Sequence, residues 1–293
     1  MNFFDMIKSI DSFFFDYLVS TTFLSYLRIT VCSFVLLDFI ILRKDILSHI
    51  LPNSLFPYQH FLRINSQPLY NGYTLFSIKN LYKSEAFTYF MFYSFYFFAL
   101  ASILGVFSSF SLLALFVIYT SIQSRAAPVW STAGDQVITL LILCLAFTKC
   151  GEKISVDSLM SNLQAQDYSN GWPIRFFQIY LSWIYFNAGV AKTKDVLWAK
   201  GQALRYSLFN ICWGKRYPYV VKIFNNKLTK YANYSIMLIQ FFAPLFLWLS
   251  DTRFIYVLIL MSFHAGIFLF LRLGYFGPLM IVALLTFFDC LFK

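Results

Sequence analysis

The chain has 293 residues, 59% of them hydrophobic and only 12% charged, with a mean hydropathy of +0.66. Soluble globular proteins run to about 45–50% apolar and about 25% charged, so this composition excludes an ordinary water-soluble domain and, more strongly, a disordered chain. A net charge of +10 would point to nucleic acid in a soluble protein; in so apolar a chain it reads as cationic loops facing anionic lipid headgroups, with membrane lipids and not nucleic acid as the partner.

One bilayer crossing takes about 20 apolar residues, and the chain has room for about eight such helices and no large soluble domain. The expected fold is an all-α, polytopic transmembrane bundle. The first twenty residues lack the basic start and small-residue cleavage site of a signal peptide. Phe3, Phe4, Ile7, Ile10, Phe14 and Leu18 fall near one helical face, with Asp5, Lys8 and Asp16 elsewhere, so residues 1–20 read as an interfacial amphipathic helix lying on the membrane. Residues 21–293 then form a single transmembrane domain.

Residues 22–42 are the first spanning segment, with Arg28 and Asp38 inside it. Residues 43–85, with Pro52, Pro57 and Pro68, read as a loop holding one interfacial piece. The run 86–123 is too long for one crossing and is split near Gly105. A fourth helix covers 135–149, starting a little earlier; residues 149–171 are polar and turn outside the membrane. The fifth covers 173–192, with Pro173 tolerated in its first turn. Residues 193–230 carry the densest positive charge, and 231–249, 253–271 and 277–291 give the last three helices. The loops after the first, third, fifth and seventh helices hold most of the basic residues, which places the 193–230 loop in the cytoplasm and both termini outside. Cys32, Cys144, Cys150, Cys212 and Cys290 are scattered without a CxxC, so neither a disulfide framework nor a metal site is indicated.

Charges inside apolar helices are expensive and need a partner or a task. Lys192 closes the fifth segment after Ala188, Gly189, Val190 and Ala191. Desolvation disfavours a charged ammonium, and a neutral amine can act as a base; a lysine at a helix end also snorkels to the interface. His264 lies deep in the seventh segment and reads either as an interhelical hydrogen bond or as a proton relay. Asp135 opens the fourth helix, where an acid is favourable as a cap. Arg28 and Asp38 are too far apart to pair along one helix, so each is expected to bond a neighbouring helix, and Arg253 and Arg272 read as interface anchors. No GxSxG, P-loop, GxGxxG or calcium-loop motif is present.

At IYFNAGVAKTKDVLWAKGQAL (184–204) the chain resembles the HTTM family, which comprises the transmembrane domain of the vitamin K-dependent γ-glutamyl carboxylases and bacterial relatives. Tyr185, Phe186, Ala188, Gly189, Val190, Lys192, Trp198 and Gly201 match its pattern. So do Phe263, His264, Gly274, Phe276 and Met280 in the segment 262–283, Gly134 and Asp135 at the start of the fourth helix, and Arg28, Asp38 and Arg43 in the first.

The resemblance implies Lys192 as a catalytic base with His264 close by, and Tyr185, Gly189, Trp198 and Asp135 as substrate-binding residues. It implies a reduced, vitamin K-type quinone as cofactor, a lipid-soluble, peptide or protein substrate, and a multi-pass location in the bacterial cytoplasmic membrane. The sequence departs from the carboxylases at Ala191, where they have a first lysine, and at Ile267, where they have a polar residue. These 293 residues also hold no counterpart of the soluble region that follows the carboxylases' membrane domain. Small HTTM proteins further resemble the membrane component of the sporulation-delaying-peptide systems, which implies an alternative role, not itself enzymatic, in maturing or secreting a toxic peptide. A transporter ranks last, since no inverted repeat is visible.

Overall fold

The computed structural model describes residues 11–54, 75–77, 81–126, 133–161, 165–215 and 226–292. They are mostly helical, joined by turns, with one short antiparallel pair of strands, β1 (Leu18–Ser20) with β2 (Tyr168–Asn170), and an isolated bridge between Gly214 and Leu271. The chain falls into two compact units, 1–175 with 292–293, and 176–291.

In the first unit the helix entering from the N-terminus ends at Phe15; most of the apolar face expected over 1–20 (Phe3, Phe4, Ile7 and Ile10) lies outside the described residues. Leu18–Ser20 form β1 and not the last turn of that helix. The reason is the partner strand. Gly171 follows β2, and a Cβ there would meet Cγ2 of Val19 at 2.3 Å and the Tyr17 ring at 2.7 Å, so only glycine lets the two segments close.

The helix α1 (Thr21–Ile41) is apolar all round and largely buried, as such a helix must be in a bundle or a membrane. The helix α2 (Arg43–Ile50) is the short piece expected after it. The long apolar run divides where the composition indicated, into α3 (Glu85–Leu104) and α4 (Ser108–Ala126). Gly105 makes the break with a left-handed backbone, φ 71°, the conformation that favours glycine at a helix end. Phe39 of α1 stacks on Phe95 of α3 with ring centroids 3.7 Å apart. The other side of α3 presents Tyr89, Phe90, Tyr93, Phe97, Leu100 and Leu104 outward. Exposed apolar residues on that scale are compatible with contact to membrane lipid.

The helix α5 (Ala133–Ala146) packs against α1 and α4, and α6 (Val156–Met160) follows it. Asp157 of α6 supplies the N-cap of α4 from a distance. Its carboxylate accepts the backbone N–H groups of Phe107 (2.7 Å) and Ser108 (2.8 Å) and the Ser108 hydroxyl (2.8 Å). Asp157→Ala is expected to lower stability by about 1–2 kcal/mol, with Asp157→Asn recovering part of it, as read by thermal unfolding in detergent.

In the second unit, α7 (Trp172–Lys194) enters from the first unit and continues into two short pieces, α8 (Val196–Ala199) and α9 (Ala203–Phe209). The predicted sixth helix is two, α10 (Asn226–Phe241) and α11 (Ala243–Trp248), because Pro244 lies in the first turn of a new helix. The last apolar segments are α12 (Ser250–Phe270) and α13 (Phe276–Leu284), the latter ending in a 3₁₀ stretch, Leu285–Phe292. Crosslinks within the unit are polar: Gln178 donates to the Thr286 carbonyl at 2.7 Å, and the Trp248 indole donates to the Ser182 hydroxyl at 3.1 Å.

All eight predicted apolar segments are helical, but among the described residues only α1, α3 and α12 are long and apolar enough to cross a membrane by themselves. The others are shorter, as α5 and α13 are, broken, as the α10–α11 pair is, or more polar, as α7 is with Arg175, Gln178, Asn187, Lys192 and Lys194.

Candidate functional site

The centre of the second unit is a buried pair. Tyr185 on α7 and His264 on α12 are 2% and 1% exposed, and the tyrosine oxygen lies 2.8 Å from Nε2 of the imidazole. The rings of Phe263 and Phe276 flank His264 at centroid distances of 4.9 Å and 5.6 Å. Nδ1 of His264 has no hydrogen-bond partner among the described residues. One hydrogen bond joins Tyr185 and Nε2, and the imidazole tautomer sets its direction. With Tyr185 donating, Nδ1 carries the ring proton as a buried donor; with Nε2 donating, Nδ1 is a buried acceptor; either costs free energy unless something polar meets it.

Two glycines set this geometry. A Cβ on Gly277 of α13 would lie 2.5 Å from the His264 carbonyl oxygen and 3.0 Å from Cβ of Phe268, so α13 seats directly on the backbone that carries the imidazole. A Cβ on Gly189 of α7 would lie 2.6 Å from both Cα and N of Phe241. Gly189 was expected at a substrate site; the structure gives it a close helix–helix contact.

Lys192 stands seven residues after Tyr185, on the same face of α7 and about 10.5 Å farther along its axis. It is half-buried, its amine donating to the Ala188 carbonyl at 3.3 Å and lying 5.1 Å from the centroid of the Trp198 ring, a cation–π contact. The sequence reading placed Lys192 beside His264; their polar contacts in the structure run to different partners, Trp198 for the amine and Tyr185 for the imidazole. Trp198 is held in turn from α10. Asn233, fully buried, donates to the Trp198 carbonyl at 2.9 Å and accepts the Leu204 N–H at 3.1 Å. Asn233 and Gly277 were missed in the sequence. The available signals were an asparagine inside an amphipathic helix and a glycine in the first turn of an apolar one.

Asp135 belongs to the first unit, buried in the first turn of α5, where it accepts the Tyr119 hydroxyl at 3.2 Å. Arg28 is fully buried in the same unit. It donates from Nε to the Cys150 carbonyl at 3.2 Å, from Nη1 to the carbonyls of Ile103 (2.9 Å) and Ser102, and from Nη2 to that of Ile154 at 2.7 Å. Its expected bond to a neighbouring helix is therefore made, to the end of α3 and the turn after α5. Burial pushes the Cys150 thiol up from its ordinary value, which disfavours the thiolate. Asp38 is buried, and its Oδ1 has no hydrogen-bond partner among the described residues. Arg253 donates to the Leu247 carbonyl at 3.1 Å and so closes α11, while the side chain of Arg272 is exposed at the end of α12.

Long apolar helices that present large side chains outward define a helical membrane protein. A family model for the HTTM domain matches residues 58–290, and the chain belongs to the HTTM family. No curated protein matches the sequence, and no solved structure matches it.

Proposed function

We propose that this HTTM protein crosses the bacterial cytoplasmic membrane about eight times, through one domain over 21–293, with the 193–230 loop on the cytoplasmic side. In this reading the second unit houses a membrane enzyme acting on a lipid-soluble or peptide substrate. The observation that carries it is the Tyr185–His264 bond, buried among apolar helices with Nδ1 left over. Lys192 on the same helical face is the base, kept in place by Trp198.

The residues present fit the reduced quinone that the family resemblance implies. Phe263 and Phe276 would flank its ring, and Nδ1 of His264 and the Lys192 amine are the polar groups that would hold its oxygens. Such a quinol supplies an ionisable hydroxyl and reducing power. Tyr185 holds the imidazole by Nε2 and leaves Nδ1 for the ligand, and the lysine takes up a proton when its amine is neutral. Lys192→Ala and Lys192→Arg are each expected to lower turnover or the dependent phenotype at least about 10²-fold, because a guanidinium does not deprotonate. Full activity in both variants would end the base assignment. Mass spectrometry of molecules retained by the purified protein identifies the ligand class, with a quinone supporting the enzyme.

A second reading, in which the protein matures or secretes a hydrophobic peptide without catalysis, is favoured by one surface. Tyr206, Ile211 and Trp213 are exposed among Lys194, Lys200 and Arg205. A retained peptide with no quinone supports that role.

A further inference from the structure

The helix α8 is a single turn, too short to be stable by itself, so bonds from outside it decide where Trp198 stands. At its front the Asp195 carboxylate accepts the N–H groups of Leu197 (2.8 Å) and Trp198 (3.0 Å). At its back the chain turns through Gly201, φ 71°, and α10 takes over. Nδ2 of Asn233 donates to the Trp198 carbonyl at 2.9 Å, the Tyr234 hydroxyl donates to the Ala199 carbonyl at 3.0 Å, and Oδ1 of Asn233 accepts the Leu204 N–H at 3.1 Å. The turn lies directly on α10, since a Cβ on Gly201 would meet Cγ of Lys230 at 2.7 Å and Tyr234 at 3.2 Å.

Both partners of Asn233 are main-chain groups with fixed roles, a carbonyl that only accepts and an N–H that only donates. One side chain must bring a donor and an acceptor together, which an amide does and a carboxylate or a hydrocarbon does not. Asn233 is fully buried, so water does not replace a bond lost there. None of these bonds reaches the Lys192 amine. Among the described residues that amine bonds the Ala188 carbonyl of its own helix and lies 5.1 Å from the Trp198 ring centroid. The Trp198 ring is therefore the link between α10 and the lysine.

We infer that Asn233 is a positioning residue for the Lys192 amine: it holds the main chain of Trp198 so that the indole covers the amine, and it acts on the lysine only through that ring. The inference rests on the reading of Lys192 as the working amine and extends it to a residue on α10 that touches neither the amine nor the imidazole.

The test uses the full-length protein in lipid nanodiscs. A trace of acetic anhydride acetylates accessible amines, and peptide mass spectrometry reads Lys192 against the exposed Lys194 and Lys200 of the same molecule. Asn233→Ala is expected to raise that ratio about fivefold, because the indole no longer shields the amine. Trp198→Ala should raise it as much, and the double variant no further, since both substitutions remove the same contact. In protein carrying 5-fluorotryptophan, the Trp198 fluorine resonance, identified by its loss in Trp198→Phe, should move on Lys192→Met in the wild-type background and stay in place in the Asn233→Ala background. An unchanged ratio in Asn233→Ala, a fluorine shift that persists there, or a further rise of the same size on top of Trp198→Ala would each overturn the inference, the last by showing that Asn233 acts on the unit as a whole. Where Asn233→Ala is not recovered folded, Asn233→Asp keeps the side-chain size and the acceptor for Leu204, loses the donor, and decides by the same ratio. Labelling needs no turnover. Full activity of Lys192→Ala and Lys192→Arg ends the base assignment whatever the ratio shows, and an unchanged ratio ends the Asn233 inference whatever the activity.

Discussion

Replacing Arg28 with alanine is expected to destabilise the first unit by about 3–5 kcal/mol, a fall of roughly 10 °C in the unfolding midpoint. The guanidinium is fully buried and its partners are backbone oxygens from the end of α3 and the turn between α5 and α6. The carbonyls of the last helical turn have no partner within their own helix. Here one side chain satisfies those of Ser102 and Ile103 and ties them to Cys150 and Ile154. Truncation leaves buried acceptors unpaired, each worth about 1–3 kcal/mol. Arg28→Lys is expected to restore less than half of the loss, since one ammonium cannot span the fan of carbonyls that a planar fork reaches. Thermal unfolding in detergent measures both, and a wild-type midpoint for Arg28→Ala would show that the bonds are made at no net gain.

The second large effect is expected from Gly277→Ala, about 1–3 kcal/mol of destabilisation, with loss of the Tyr185–His264 bond. The added methyl would face the His264 carbonyl oxygen at 2.5 Å. That atom is main chain, so the whole of α13 must retreat or α12 must bend, and either movement carries the imidazole away from Tyr185. Gly266→Ala, on α12 two residues after His264, is the control. Nothing lies within 4 Å of a Cβ there, so the substitution removes only a helix-weakening glycine and is expected to raise stability by about 0.5–1 kcal/mol. Unfolding curves, together with the imidazole resonance of His264, separate the two variants. Equal stabilities would mean that the α12–α13 contact is loose.

The segmentation of the bundle was legible because it rests on apolar runs and their interruptions. Gly105 and the polar stretch after Ala146 mark boundaries that composition alone displays. The break at Phe242 was not, since Phe241 to Trp248 stays apolar and Pro244 sits where a helix start tolerates it. The first strand was hidden as well, for its partner lies about 150 residues away and pairing of that kind leaves no local periodicity. Of the candidate site, Lys192 and His264 stood out as ionisable residues in apolar segments, and Tyr185 and Trp198 through the motif shared with the family. Their pairing was not, because which ring an amine covers depends on where the chain turns after α7, here at the Asp195 cap of α8. The role of Arg28 was half visible. A buried arginine must bond something, but main-chain acceptors carry no residue-type signature.

The cap on α4 has a consequence for how the chain is made. Synthesis runs from the N-terminus, so Phe107 and Ser108 leave the ribosome well before Asp157, the group that ends their search for an acceptor. Until then the start of α4 offers two bare amides to water or to headgroups. The α3–α4 hairpin is therefore left with one rim unlatched, and it closes only when the hydrophilic turn beyond α5 has been translated and folds back over it.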